Sequence, residues 1–204
     1  AAAVVPLEEP VPAGAVVATG SVRRRAQLAH ARPDLAFAEL RGNIGTRLEK
    51  ATEFGAIVMA QAALVRLGLA HRAAEVLDPA VMLPQVAQGA LAVECRAGDA
   101  EVIERLQAIE HLGSRRAVDA ERAYLARLGG GCDLPAGALA VADADEVRIE
   151  ALLASLDGSV VLRASASGDD PAAVGEEVAR LLLEERGGDE LLARSGSGEG
   201  GGRS

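Results

Sequence analysis

The sequence predicts an α/β protein: a first unit built on a mostly parallel sheet, followed by a small α+β C-terminal unit. Three observations carry that prediction. Between Val16 and Leu77, β-like apolar runs alternate with stretches of helical composition, as right-handed strand–helix–strand crossovers require. A Gly129-Gly130-Gly131 break then ends a long helical stretch. Beyond it the pattern becomes short strand-like runs joined by Asp/Gly turns and closed by one helix.

Ala1 to Val5 is apolar, has no basic leader, and is followed by Pro6, Glu8, Glu9 and Pro10, so it reads as a linker or cut end and not as a signal peptide. Ala15 to Thr19 reads as a strand ending in the Gly20-Ser21 turn, and Arg23 to Ala31 as a helix that stops before Pro33. Leu35 to Leu40 follows as a second strand, and Gly42 to Gly45 as a turn. Thr46 then caps a short helix through Glu53. Ala56 to Ala60 is a continuous apolar run of the kind buried in parallel sheets, with a helix expected over Ala63 to Leu77. Pro79, Pro84 and Gln88-Gly89 interrupt the pattern before a strand-like Ala90 to Cys95, which reads as a crossover between domains. Helical spacing returns over Glu101 to Ile109 and Ser114 to Leu128. In the last unit, Leu139 to Val141, Glu146 to Leu153 and Ser159 to Ala164 read as strands, with Asp157-Gly158 as a hairpin turn and Ala172 to Arg186 as the closing helix. The Gly/Ser-rich stretch 195–204 reads as a disordered tail.

Half of the residues are apolar, yet no run approaches the roughly 20 uncharged residues that cross a bilayer, so no membrane association is expected. A formal charge of −9 with two Phe, one Tyr and no Trp argues against a nucleic-acid surface. Two distant cysteines, Cys95 and Cys132, offer neither a disulfide framework nor metal-ligand spacing; a reducing cytoplasm fits, and no metal is expected. Against this acidic background, six arginines (Arg23, Arg24, Arg25, Arg32, Arg41, Arg47) face only two acids, Asp34 and Glu39, between Thr19 and Leu48. Such contrast focuses a field on a small anion.

Ser21, Arg23 and Arg24 sit at one strand-to-helix turn, and Arg41, Thr46 and Arg47 at the next, where open α/β sheets bind ligands beside helix N-termini. Spacing alone leaves open that these are solvated helix arginines. Cys132 follows three glycines, so the chain can turn sharply and expose its thiol. Cys95 instead sits among alternating apolar residues as a buried small hydrophobe would. A lone cysteine is more often inert than reactive, and spacing does not decide that either.

In order along the chain, Thr19-Gly20-Ser21-Val22-Arg23-Arg24, Leu40-Arg41-Gly42-Asn43-Ile44-Gly45-Thr46-Arg47-Leu48 and Val65-Arg66-Leu67-Gly68-Leu69 resemble successive signatures of hydroxymethylbilane synthases, also called porphobilinogen deaminases. So do Leu83-Pro84, Gln88-Gly89-Ala90 with Glu94-Cys95-Arg96, Ala120-Glu121-Arg122 and Gly129-Gly130-Gly131-Cys132. The resemblance implies a transferase of tetrapyrrole (haem) synthesis that joins four porphobilinogen molecules, with loss of ammonia, on a dipyrromethane cofactor. That cofactor would be held by a thioether at Cys132. Porphobilinogen and the growing polypyrrole are the implied partners, and Ser21, Arg23, Arg24, Arg41, Arg47 and Arg66 the implied contacts for their carboxylates.

The same resemblance implies a periplasmic-binding-protein-like domain 2 over residues 16–87 and a segment, 88–110, returning to a largely absent domain 1. It also implies an α+β domain 3 over 111–194, between a linker at 1–15 and the tail at 195–204. The family's Lys-Asp-x-Pro-Thr-like motif, with its general acid/base aspartate, has no match here, so no catalytic residue is assigned and inactivity of the chain alone is expected. An exposed remnant of domain 1 offers a surface for association. Gly20, Ala87 and Asp133 depart from the family pattern, which has serine, glycine and an uncharged polar residue there. A non-catalytic small-anion-binding module is the alternative reading, and a cysteine hydrolase a weaker one, since no histidine is placed as its base.

Overall fold

A computed structural model describes residues 2–6, 11–130 and 133–196. Three apolar runs form adjacent parallel strands: β2 (Val16–Ala18) lies between β3 (Ala36–Ala38) and β4 (Ala56–Ala60). The helices α1 (Val22–Ala31) and α2 (Ile44–Glu49) connect them, α2 running on into a 3₁₀ turn at Lys50–Glu53. Ala56 to Ala60 is apolar throughout because both of its faces are covered. Ile57 and Met59 enter one core with Leu40, Leu48 and Leu64, while Ala56 and Val58 enter the other with Leu28 and Met82. Each fully buried aliphatic side chain contributes about 1.5–3 kcal/mol of transfer free energy.

The sheet is wider than the sequence predicts. Ala2–Pro6, expected as linker, is strand β1; it lies between β4 and β5 (Glu75–Leu77) and runs antiparallel to both, giving the order β3-β2-β4-β1-β5. Ala3 and Val5 fill one core and Ala2 the other. Its partners lie fifty or more residues away, so no local signal marks it. Four strands share one direction and β1 opposes them, making a mostly parallel, mixed sheet. The helix expected over Ala63 to Leu77 is also shorter. The helix α3 (Gln61–Arg66) ends at Gly68, whose φ of 70° is left-handed, and the chain turns at Ala70–Arg72 into β5. Asn43, not Thr46, caps α2: its side-chain oxygen accepts the Thr46 amide at 2.9 Å.

Ala90 to Cys95 makes no ladder with any described strand and is irregular, with Leu91 86% exposed and Val93 63%. Without a neighbour a strand's backbone groups go to water. Cys95 is therefore exposed, against the expectation that it is buried. The amphipathic α4 (Ala100–Gln107) that follows buries no residue.

The second unit packs α5 (Leu112–Leu128) and α6 (Pro171–Arg180) on one face of an antiparallel sheet of β6 (Ala136–Ala142), β7 (Val147–Ala154) and β8 (Val161–Gly168). Val147, Ile149, Ala151 and Leu153 alternate into that core. The single tyrosine, Tyr124, is wholly buried, and its hydroxyl donates to Leu152 O at 2.7 Å. Burial pushes its ionisation far above the ordinary value. The Asp157-Gly158 turn joins β7 to β8 as expected, Gly158 at φ 75°. A π-type turn at Leu181–Glu185 then leads to α7 (Gly188–Gly196), which takes in the first two residues of the expected tail; 197–204 lie outside the described residues.

Candidate functional site

The carboxyl ends of β2, β3 and β4 lie at one edge of the sheet, and the first two continue into turns that bear arginines. Ser21 caps α1, accepting the Arg24 amide at 3.4 Å, while its own amide donates to Thr19 Oγ1 at 3.3 Å. The turn is pressed against its neighbour. Thr19 N donates to Ala38 O at 3.0 Å, and a Cβ at Gly20 would stand 2.7 Å from Leu40 O. In this setting, the serine common at this position in the family pattern could not replace Gly20 without moving backbone.

Arg24 is 9% exposed, gives one hydrogen bond to Val58 O at 3.4 Å, and has a buried Nε–H with no partner. Burial first, and then the charge of Arg47, pulls its pKa down. The structure thus sets Arg24 and Arg47 within electrostatic reach, Arg47 being anchored by Nε to Gly42 O at 2.8 Å. Among the described residues, neither has a carboxylate partner. A buried guanidinium left uncompensated is costly and is tolerated where an anion completes it.

The other predicted contacts fall elsewhere. Arg23, 3% exposed, turns into the protein: its guanidinium donates to Leu83 O and to Gln85 Oε1 at 3.4 Å, and stands 3.9 Å from Met82 Sδ. Burial, aided by Arg24, pulls it down to about 10. Arg41 is exposed and spent on Glu39, 2.9 Å away, a pair worth little in water. Arg66 is exposed in the last turn of α3, one helix length past the carboxyl end of β4. Cys132 lies outside the described residues. On one side of it α5 ends at Gly129, whose φ of 66° is left-handed; on the other, Asp133 to Pro135 lead into β6.

Sequence reasoning gave Gln27 and Glu121 no role. Gln27, 3% exposed, accepts the Leu83 amide at 2.8 Å and donates to Leu83 O at 3.1 Å. Glu121, 6% exposed, accepts the Ala87 amide at 2.6 Å and the Ala140 amide at 2.8 Å. Burial pushes its carboxyl up, opposed by those two amides. Its place in the Ala120-Glu121-Arg122 block is the only signal that could have found it.

Two open concavities of about 390 Å³ lie away from the arginine turns, one against Arg25, His30 and Asp157, the other against Glu150, Arg163 and Arg186. No described group of three or more His, Cys, Asp or Glu is arranged to hold a metal ion. No described helix is long and apolar enough to cross a membrane.

Residues 4–104 match the family model described as "Porphobilinogen deaminase, dipyromethane cofactor binding domain", and residues 116–184 the one described as "Porphobilinogen deaminase, C-terminal domain". The chain is 47% identical over 186 residues to the porphobilinogen deaminase of Roseiflexus castenholzii, covering 90% of this chain and 61% of that protein. It is 48% identical over 194 residues to that of Desulforudis audaxviator (93% and 62%). Against that of Moorella thermoacetica it is 47% identical over 197 residues (93% and 63%). The chain thus spans about three-fifths of the length of the curated relatives it matches. With both family models in order across most of the chain, it belongs to the porphobilinogen deaminase family.

Proposed function

We propose that these 204 residues are the cofactor-holding part of a hydroxymethylbilane synthase, which joins four porphobilinogen molecules with loss of ammonia on a dipyrromethane tethered at Cys132. The observation that carries this reading is the buried Arg24, with an unpartnered Nε–H, beside the half-buried Arg47 at the sheet's carboxyl edge, neither with a carboxylate partner among the described residues. Each pyrrole brings an acetate and a propionate, so a growing chain supplies the missing negative charge. Planar guanidinium groups meet carboxylates bidentately. Arg24 and Arg47 hold the carboxylates, Ser21 fixes the turn, and the free N–H groups at the start of α1 favour the same charge. Arg41 joins only by leaving Glu39, and Arg66 at a greater reach. When bound, the dipyrromethane supplies the primer to which pyrroles are added.

The first unit reads as the periplasmic-binding-protein-like domain of residues 16–87, with β1 added to its sheet, and residues 111–194 as the third domain. The segment 88–110 is then the seat for the rest of the family protein: Leu91, Val93 and Ile109 are exposed, and α4 presents an apolar face that nothing described covers. Proton transfer is assigned to that remainder, since no residue here matches the family's aspartate motif. A reducing cytoplasm suits a thioether formed at a free thiol.

Mixing the 204-residue chain with the separately expressed N-terminal part of a relative tests this reading. Porphobilinogen should be consumed only by the mixture, and Cys132→Ser should abolish it. Consumption by the chain alone, surviving Cys132→Ser, overturns the reading.

A further inference from the structure

Between β5 and the exposed segment, residues 82–88 form a strap gripped from two sides. From the first unit, Gln27 pairs with both the N–H and the C=O of Leu83 as a second peptide group would, and Arg23 bonds the same carbonyl. From the second unit, Ala138 N donates to Pro84 O at 3.1 Å, and Glu121 accepts the Ala87 amide while also holding Ala140 of β6. The fit is close: a Cβ at Gly137 would stand 2.9 Å from Pro84 O. Leu83 itself is wholly buried, packed with Ala26 of α1 and Leu152 and Ala154 of β7.

Both grips lead to functional ground. Gln27 lies three residues after Arg24 on the same helix, and α5 and β6 are the elements on either side of Cys132. We propose that Gln27 is a positioning residue: through the strap it sets where α5 and β6 stand relative to the arginine turn, without touching a carboxylate itself. The positioning of the tether rests on the functional reading above; the coupling of the two units through Leu83 does not. Glutamine suits the task because it offers one acceptor and one donor at the end of a neutral side chain, matching a peptide's own pair. A buried strap segment left unpaired at Leu83 N–H would bear the full cost of that orphaned donor.

Amide hydrogen exchange on the full 204-residue chain tests the coupling, with Gln27→Met, which keeps the volume, and Gln27→Asn, which keeps the chemistry but is one methylene short. Both variants should exchange about tenfold faster or more at Leu83, Ala87 and Ala138, with the Ile57 and Tyr124 amides unchanged. Acceleration at Leu83 alone, or equal acceleration everywhere in both variants, overturns the proposal. A second arm measures the rate at which hydroxymethylbilane adds to Cys132 by intact mass. Gln27→Met should load at least tenfold more slowly than the parent although Arg24 and Arg47 are intact; equal rates overturn the positioning role. If the parent chain takes no adduct, the functional reading fails and the positioning role with it, while the exchange data still decide whether Gln27 couples the units.

Discussion

Replacing Ala87 by glycine removes a backbone strain that the strap imposes on it. Ala87 is the one described non-glycine residue with a left-handed backbone, at φ 58°. For a residue with a Cβ that conformation costs roughly 1–2 kcal/mol. Glycine in its place makes the unfolded chain freer, offsetting about 0.4–1 kcal/mol of the gain. With each range taken at its middle, the net is a stabilisation of about 0.8 kcal/mol. For a chain of this size that raises Tm by roughly 1–4 °C at about 2–4 °C per kcal/mol. The structure also says why the strain persists: the Glu121 carboxylate holds the Ala87 amide at 2.6 Å, and so fixes the peptide that glycine would adopt freely. Calorimetry on Ala87→Gly, Glu121→Gln and the double variant therefore has a defined pattern. Ala87→Gly alone should gain, Glu121→Gln should lose about 1–3 kcal/mol through a mispaired buried amide, and the glycine gain should shrink when Glu121 no longer enforces the turn. An unchanged or lower Tm for Ala87→Gly, or strict additivity, refutes the reasoning.

Gly175→Ala should destabilise by about 1–3 kcal/mol, read from urea unfolding, because its Cβ would collide with Ala120 O and stand 2.7 Å from Ala123 Cβ where α6 crosses α5. Glu121 also predicts a pH dependence. Burial raises its folded pKa above the ordinary 4.5, so the native state holds the proton more tightly than the unfolded chain. That contribution is fully present below about 4.5 and is lost as pH rises through the folded value. The stability difference between parent and Glu121→Gln, followed by urea midpoint, should therefore move against the parent as pH rises through that window. The exposed Asp34 and Asp157, held down to about 2 chiefly by hydrogen bonds from Arg32 and Ser155, act in the opposite sense and only at lower pH. For the arginines, loss of bound dipyrromethane per chain should be greatest for Arg24→Met and slight for Arg41→Ala, which is already paired with Glu39; the reverse order would move the anion site from Arg24 to Arg41.

The parts legible in the sequence were those whose cause is local. Ala56 to Ala60 declares itself because both faces of β4 are covered, and Asp157-Gly158 because a tight hairpin needs a left-handed glycine. β1 stayed hidden because its register depends on β4 and β5, far along the chain. Ala90 to Cys95 has a strand's composition without a strand's neighbour, so Cys95 is exposed and its thiol is as reachable as composition made that of Cys132. The arginine cluster was visible as charge, but charge does not say which way a side chain turns. Arg23 and Arg24 are adjacent in sequence, yet the first serves the strap and the second reaches Val58 O of β4. Gln27 carries no charge and no motif, and only the fold reveals that it meets Leu83.

With Cys95 exposed, accessibility does not exclude it as a nucleophile, so selection of Cys132 has to come from the arginine turn. After incubation of the chain with hydroxymethylbilane, intact mass and peptide mapping should show one tetrapyrrole per chain, joined by a thioether with loss of water, on Cys132, absent from Cys132→Ser and strongly reduced in Arg24→Met. An adduct on Cys95, or one on Cys132 that is indifferent to Arg24, would contradict the account.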